Sequence, residues 1–539
     1  VLMFKPSRVF APTRRDVLIG VGAAAATTVY AAPRASGLTI RDDRPGAPLS
    51  PLIFGSNEIG TMDGGPPSSL FDRAAGVTAR RLGGNLMTAY NWLSNATNAG
   101  KDHRHANGPF LLEALGVPRE FWGEPAAVVH AMHEASLAMG AQSLVTVPIA
   151  GFVAADFAGA VAEEEAAPSR RFIETRWGDG PSEETALDMR GLIARLISRY
   201  GPAGTPRGIF GYALDNEPAL WFQNHPRVTP KRITIRAFID RSLAAARAIK
   251  NFDPAAKIFG PASWGATGMV SFQDAPDWSE YRRYGNFLAA YLDAFRQASE
   301  REGCRLLDVL DVHWYAFSDR GGLFRDENPE RDRARLDAPR SLTEAGFVET
   351  SWIPRAFRGV DGLSLPILPA LRDLCARWFP GTEIAVTEFN YGGPGSLAAG
   401  LAVADALGRF GAAGVCFASH WGSLPGWLGE AYRLYRAPDA MGGTFAGAMI
   451  PVENRALADI GAYAARDGEA LRLALVNKSD APQTVDVSFA GGAPLAPRAG
   501  LGFDATMTQT TVLTERPQVV DSGFRIALPP RSARRYAFA

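Results

Sequence analysis

Between Phe54 and about Gly422 the chain alternates short apolar runs with longer stretches whose apolar residues recur at helical spacing. The runs are brief, rich in Val, Ile, Leu and Phe, and bounded by Gly, Pro or Asn, which marks them as strands. They predict strands at 53–57, 79–82, 143–149, 209–214, 257–260, 309–315, 383–389 and 414–420. The intervening amphipathic stretches predict helices at 184–200, 234–251, 278–298, 366–378 and 397–410. Strands that alternate with helices pair in parallel, and about eight such units imply an α/β fold of the (β/α)8 TIM barrel type. The rival is a doubly wound sheet, but no GxGxxG follows the first strand to support it.

The pattern changes past about Ala440. Short alternating runs at 471–477, 484–489, 510–514, 524–527 and 533–538 are separated by Asn-Lys-Ser, Gly-Gly and Pro-Pro turns. That spacing predicts a C-terminal β-sandwich domain. A further short strand, 37–40, precedes the barrel and is expected to pair with it. The division is therefore 52–440 for a catalytic barrel and 37–51 plus 441–539 for a β-sandwich accessory domain. The polar segment 163–181 reads as a surface excursion, a candidate lid.

Composition adds bounds. Of 539 residues, 47% are hydrophobic, enough for a large core. Lys plus Arg and Asp plus Glu number 56 each, so the chain lacks the basic footprint of a nucleic-acid binder, and no nucleic-acid partner is expected. Cys304, Cys375 and Cys416 are too few and too scattered for a disulfide framework or a zinc site, and read as buried thiols. At the N-terminus, Arg14-Arg15 precede a mildly apolar Ala/Gly/Val stretch and a small-residue context at Val29-Tyr30-Ala31. This reads as a signal peptide over 1–32 of the twin-arginine type. It predicts an exported protein, periplasmic or extracellular, with no membrane association after its removal. A monomer is expected.

Two carboxylates end predicted barrel strands, at the face where such barrels build active sites. Glu217 stands in Tyr212-Ala-Leu-Asp-Asn-Glu-Pro218 and Glu388 in Ile384-Ala-Val-Thr-Glu-Phe-Asn-Tyr391. A charged group after an apolar strand is costly unless a cleft opens there. The pair suits glycoside hydrolysis, in which one carboxyl is protonated and the other ionised; retaining enzymes hold them roughly 5–5.5 Å apart. Asp215 is expected to share a face with Glu217 by strand periodicity.

Neighbouring strand ends supply substrate-binding candidates: Asn85, Trp92, Asn216, Trp221, Trp264, His313, Tyr315, Tyr391 and Trp421. Among them, Tyr315 is placed to orient the nucleophile, His313 to bond a sugar hydroxyl, and Trp421 to floor the cleavage point. The glycines of Arg81-Leu-Gly-Gly-Asn85 allow close backbone approach. No HExxH, GxSxG or phosphate-binding loop stands in a fitting context. His103 and His105 alone are weak evidence for a metal, and none is assigned.

Several of these stretches resemble glycoside hydrolase family 44 in order along the barrel: Arg81–Asn85 with Tyr90-Asn91-Trp92 and 95–100, 146–156, 212–226, 311–315 and 387–392. The resemblance implies a (β/α)8 barrel with a β-sandwich built from both chain ends. It also implies retaining endo-β-1,4-glucanase or xyloglucanase activity on a β-glucan polysaccharide, with Glu217 as acid/base and Glu388 as nucleophile. Some members bind calcium, but no ligand set maps onto this sequence, so no cofactor is assigned. Leu82 stands where the family pattern has Trp, Phe389 where Tyr is common, and the region 323–354 aligns with nothing, which leaves subsite specificity open. The alternatives are another retaining β-glycanase, for mannan or xylan, and a non-catalytic glycan-binding envelope protein.

Overall fold

Eight parallel strands close into a barrel in the computed structural model. They are β1 (Gly55–Glu58), β2 (Ala79–Leu82), β3 (Gln142–Val147), β4 (Gly211–Leu214), β5 (Lys257–Ser263), β6 (Val309–Tyr315), β7 (Glu383–Asn390) and β8 (Phe417–His420). Each pairs in parallel with its neighbours, and β8 returns to β1. The structure describes residues 36–58, 68–178, 186–454, 458–492, 496–520 and 523–539. The expected leader, 1–32, lies outside them, as do 179–181 of the excursion and 184–185 of the first expected helix.

Eight helices follow the strands: α1 (Ser68–Ala75), α2 (Ala127–Leu137), α3 (Arg190–Tyr200), α4 (Ile235–Phe252), α5 (Phe287–Glu302), α6 (Ile367–Trp378), α7 (Leu397–Ala412) and α8 (Gly426–Arg436). The helix expected over 278–298 is divided. Gly285 takes a left-handed φ of 82°, and Asn286 then caps α5 by accepting from the Ala289 N–H at 2.9 Å. Helix α2 buries residues around most of its circumference, including Val128, Val129, Met132 and His133, so it shows no clear amphipathic stripe to read from sequence.

The barrel floor is apolar. Ala79, Leu144, Ala213, Phe259, Val309, Ala385 and Phe417, one from each of seven strands, form one buried cluster. Small and large side chains share the layer, as a tapered interior requires, and Phe259 meets Phe417 edge-on at 5.5 Å.

Past the barrel the chain forms two sheets. One holds Ser36–Ile40 between Val452–Asn454 and Gln483–Phe489, then Gly523–Leu528 and Gln518–Val520. The other runs Ala47–Pro48, Ala448–Ile450, Ile460–Asp467, Ala470–Asn477, Ser532–Phe538, Leu501–Asp504 and Thr511–Val512. Both chain ends thus enter the sandwich. Leu471, Leu473 and Leu475 face its core with Leu38, Ile40, Val485 and Phe538, each apolar side chain contributing about 1.5–3 kcal/mol on burial. The alternate residues Ala474 and Val476 pack with the barrel layer instead. This second sheet is therefore buried on both faces, and Ser532–Phe538 is buried throughout. Arg535 donates to the Tyr435 and Ala437 carbonyls at 2.6 Å each, placing a cation on the C-terminal end of α8 where the helix dipole favours one.

Within the excursion at 163–181, Phe172–Arg176 pairs with Phe152–Ala154 and Leu187–Asp188, and the Trp177 indole donates to the Pro148 carbonyl at 3.0 Å. The expectation of three buried thiols is corrected. Of the three cysteines, all free, Cys375 alone is buried; Cys416 is half-buried and Cys304 exposed. Among the described residues, no helix is long and apolar enough to cross a membrane.

Candidate active site

The strands change character at their C-terminal ends. On β2, neighbouring arginines point to opposite faces, as strand periodicity demands. Arg80 turns outward to Asp72 on α1 at 2.9 Å. Arg81 turns into the barrel mouth, where it donates to Glu388 at 2.8 Å, to the Asn57 Oδ1 at 3.0 Å and to the Asn216 Oδ1 at 2.9 Å. Gly83 makes this possible, because a Cβ there would lie 2.3 Å from the guanidinium. Gly84, at φ 77°, opens the same way against the Trp421 ring, 2.4 Å from where its Cβ would stand.

Glu388 reaches the cleft through a β-bulge. Between matched positions β7 carries one more residue than either neighbour, at Thr387 and Glu388. Such an insertion re-aims the side chains that follow it. Glu388 then lies level with His313 and accepts a hydrogen bond from the Tyr315 hydroxyl at 2.7 Å as well as from Arg81. Thr387 turns to Asp311, whose carboxylate accepts from its hydroxyl.

Glu217 is presented differently. Asp215 and Glu217 both take left-handed backbone, at φ 67° and 43°, so the strand ends at Leu214. The two side chains do not share a face. Asp215 is fully buried and accepts from the Ile149 and Ala150 N–H groups at 2.6 and 3.2 Å. Glu217 is turned to the mouth, its own N–H donating to the Ala262 carbonyl at 3.1 Å. Non-glycine residues in this conformation are strained and concentrate at functional sites.

The electrostatics split the groups. Burial pushes the Glu217 carboxyl up to about 7; Arg81 opposes that shift and Asp102 adds to it. Burial also drives His313 down to about 3, so its imidazole is neutral at neutral pH. Its Nδ1 lies 2.8 Å from Glu217 and 3.3 Å from Glu388, bridging the two carboxyls. The ligating atoms of Glu217, His313 and Glu388 all lie within 4.8 Å of one another. That donor set could also accept a divalent cation, but Arg81 already neutralises Glu388 within it.

The cleft above the pair has a volume of about 350 Å³ and is lined by Gly84, Asn85, Asp102, Asn216, Trp264, Tyr315, Phe317, Phe324, Arg325 and Trp421 besides the two glutamates. Among protein families, the sequence model of glycoside hydrolase family 44 matches residues 96–317. Endoglucanase A of Paenibacillus lautus is 36% identical over 515 residues, 92% of this chain and 71% of that protein. The chain belongs to glycoside hydrolase family 44. It is also 34% identical over 521 residues, 91% of its length, to Beta-mannanase/endoglucanase A of Caldicellulosiruptor saccharolyticus, and spans 38% of that longer protein. The structure of a Paenibacillus polymyxa xyloglucanase from family 44 with xyloglucan matches at TM-score 0.86 and 33% identity, over 94% of this chain and 100% of that one.

As a family 44 glycoside hydrolase, the chain brings together Glu217, Glu388, Asn85, Asn216, Trp264, Tyr315 and Trp421 of the expected site. Four candidates do not line the cleft. Trp221 is 1% exposed; a short helical turn after Glu217 rolls it inward, where its indole donates to the Asn216 carbonyl at 3.1 Å and meets Phe238 edge-on. Trp92 packs against Gly191 of α3. Tyr391, the position after Asn390, is fully buried in the barrel core. His313 is fully buried beneath the carboxyls, which its ring contacts. The sequence reading missed Arg81, Asp102, Phe317, Phe324 and Arg325. For Arg81 a signal existed, since the two glycines after it left room for a large side chain.

Proposed function

We propose that the chain is a retaining, endo-acting hydrolase of β-1,4-glucan-type plant polysaccharide, cellulose or xyloglucan, working by double displacement. The observation that carries this is the proximity of the two carboxyls: oxygens of Glu217 and Glu388 lie within 4.8 Å. Retaining enzymes hold the pair at roughly 5–5.5 Å, whereas inverting enzymes need roughly 6.5–9.5 Å to admit a water between them.

Glu217 is the acid/base. With its pKa raised to about 7 about half of it is protonated at neutral pH, and that form delivers its proton to the glycosidic oxygen as the bond to the anomeric carbon breaks. Glu388, accepting from Arg81 and Tyr315, is the nucleophile and attacks that carbon. A glycosyl-enzyme ester forms and the shortened chain departs with the proton. Glu217, now ionised, removes a proton from water, which attacks the same carbon and releases Glu388. Neutral His313 adds no charge to either step and keeps the carboxyls in register. Trp421 and Trp264 offer the flat apolar faces that sugar rings pack against. The pattern at 14–32 supports export through a twin-arginine signal.

The test is reducing-sugar release from carboxymethylcellulose, xyloglucan, lichenan, xylan and mannan, with Glu388→Gln beside the wild type. A β-1,4-glucan should be cut, and the variant should lose on the order of 10⁴-fold or more in kcat, as nucleophile removal does elsewhere. Cleavage confined to mannan or xylan would move the substrate assignment. Silence on every polymer from folded protein would favour a glycan-binding role.

A further inference from the structure

Arg325 is an exposed arginine that lines the cleft, and among the described residues its guanidinium makes no ion pair or hydrogen bond. The acidic residues beside it are engaged elsewhere. Asp326 pairs with Arg331 at 2.6 Å and Arg335 at 3.0 Å, and Glu327 accepts from the Gly395 N–H at 2.7 Å. The backbone that carries Arg325 is nonetheless firmly held. Its N–H donates to the Asn390 Oδ1 at 3.2 Å, and Asn390 also donates to the Trp421 carbonyl at 2.8 Å. Phe324 stands edge-on to Tyr315 at 5.3 Å, in space that a Cβ on Gly322 would close to 2.3 Å. Arg325 itself is at φ 59°, a conformation arginine seldom adopts and one that marks a local constraint.

A second exposed charge lines the same cleft from the other side. Asp102 hangs from Asn85, beyond β2, by a hydrogen bond of 2.9 Å, and its charge is felt at Glu217. The field of Arg325 reaches His420 on β8, beside the nucleophile strand. The cleft is therefore polarised, although the whole chain is neutral.

We propose that Arg325 is a specificity-determining residue that receives a carboxylate borne by the polysaccharide, so that among β-1,4-glucans the enzyme prefers an acid-bearing chain to a neutral one. This rests on the hydrolase reading given above. A planar guanidinium matches a carboxylate through two parallel hydrogen bonds, a fit that a neutral sugar's hydroxyls do not reproduce. Asp102 would repel the same anion from the opposite rim, which gives the acidic sugar one place along the cleft and one direction.

Carboxymethylcellulose and hydroxyethylcellulose of matched chain length separate charge from backbone chemistry. Their kcat/KM ratio should be higher for wild type at low salt than at 300 mM NaCl, because screening weakens an exposed pair. Arg325→Gln should lower that ratio about two- to fivefold, the range for a single solvent-accessible ion pair. Equal losses on both polymers, or an unchanged ratio, would overturn the proposal and leave the hydrolase reading standing. Native gels carrying either polymer, run with Glu388→Gln with and without Arg325→Gln, read binding apart from turnover. Retardation by the anionic polymer, relative to the neutral one, that is undiminished without Arg325 would also overturn it. Binding without any turnover by wild type would instead strike at the hydrolase reading.

Discussion

The two ends of one barrel show how differently the same eight strands can be used. At the floor, seven strands contribute Ala, Leu, Phe and Val to one apolar layer. At the other end, the strands and the turns that follow them deliver Asn57, Arg81, Asp215, His313 and Glu388, all essentially removed from solvent. The floor gains stability from each side chain it buries. The mouth buries charges and holds Asp215, Glu217 and Ala262 in left-handed backbone, a cost that only the surrounding packing sustains. Stability and chemistry are thus separated by position along the strand.

The sharpest way to break that separation is at the mouth. Glu217→Gln should cut polysaccharide turnover by roughly 10²–10⁴-fold, the usual worth of a general acid. Aryl glycosides with good leaving groups need little protonation, so bond cleavage there should be partly spared. Steady-state and burst kinetics on both substrate types decide it, and equal losses would count against the acid assignment.

At the floor the expected effect is on folding. Phe259→Ala should destabilise by about 3–5 kcal/mol through the cavity it leaves, read as a lower midpoint in urea. The kcat/KM of the protein that remains folded should stay within a few-fold of wild type. A collapse of activity in fully folded Phe259→Ala would show that floor and mouth are coupled.

The smaller effects concern pH. Glu217 must be protonated to act, and burial sets its pKa at about 7, so kcat/KM should fall about tenfold per pH unit above that value. The same shift weakens the fold. A carboxyl whose pKa is higher folded than unfolded costs nothing below the unfolded value of about 4.3, and its cost grows until the pH passes the folded value. Glu217→Gln should therefore melt about 1–3 °C above wild type at pH 8 and level with it at pH 4. A gap independent of pH would show that Glu217 is not the destabilising group.

Legibility followed the range of each interaction. The alternation of strands and helices was readable because each element carries its own period, and the glutamates stood out because each interrupts an apolar run. Residue types near strand ends were a poorer guide. Trp221 and Tyr391 read as cleft aromatics, yet they are buried in the core, and Trp92 packs half-buried against it, while Phe324 and Arg325 lay in a stretch that matched no pattern. Asp215 was expected beside Glu217 because period two was carried one step past the strand's end.

The chain's own pattern settled which elements form, how they alternate, and which two carboxyls end at the working face, because those follow from neighbours a few positions apart. Folding alone decided that Arg81, 307 residues from Glu388 in sequence, would brace it, that an extra residue in β7 would aim it, and that burial would raise the pKa of Glu217. Desolvation and Coulomb forces sum over whatever lies nearby in space, and no period along the chain records them.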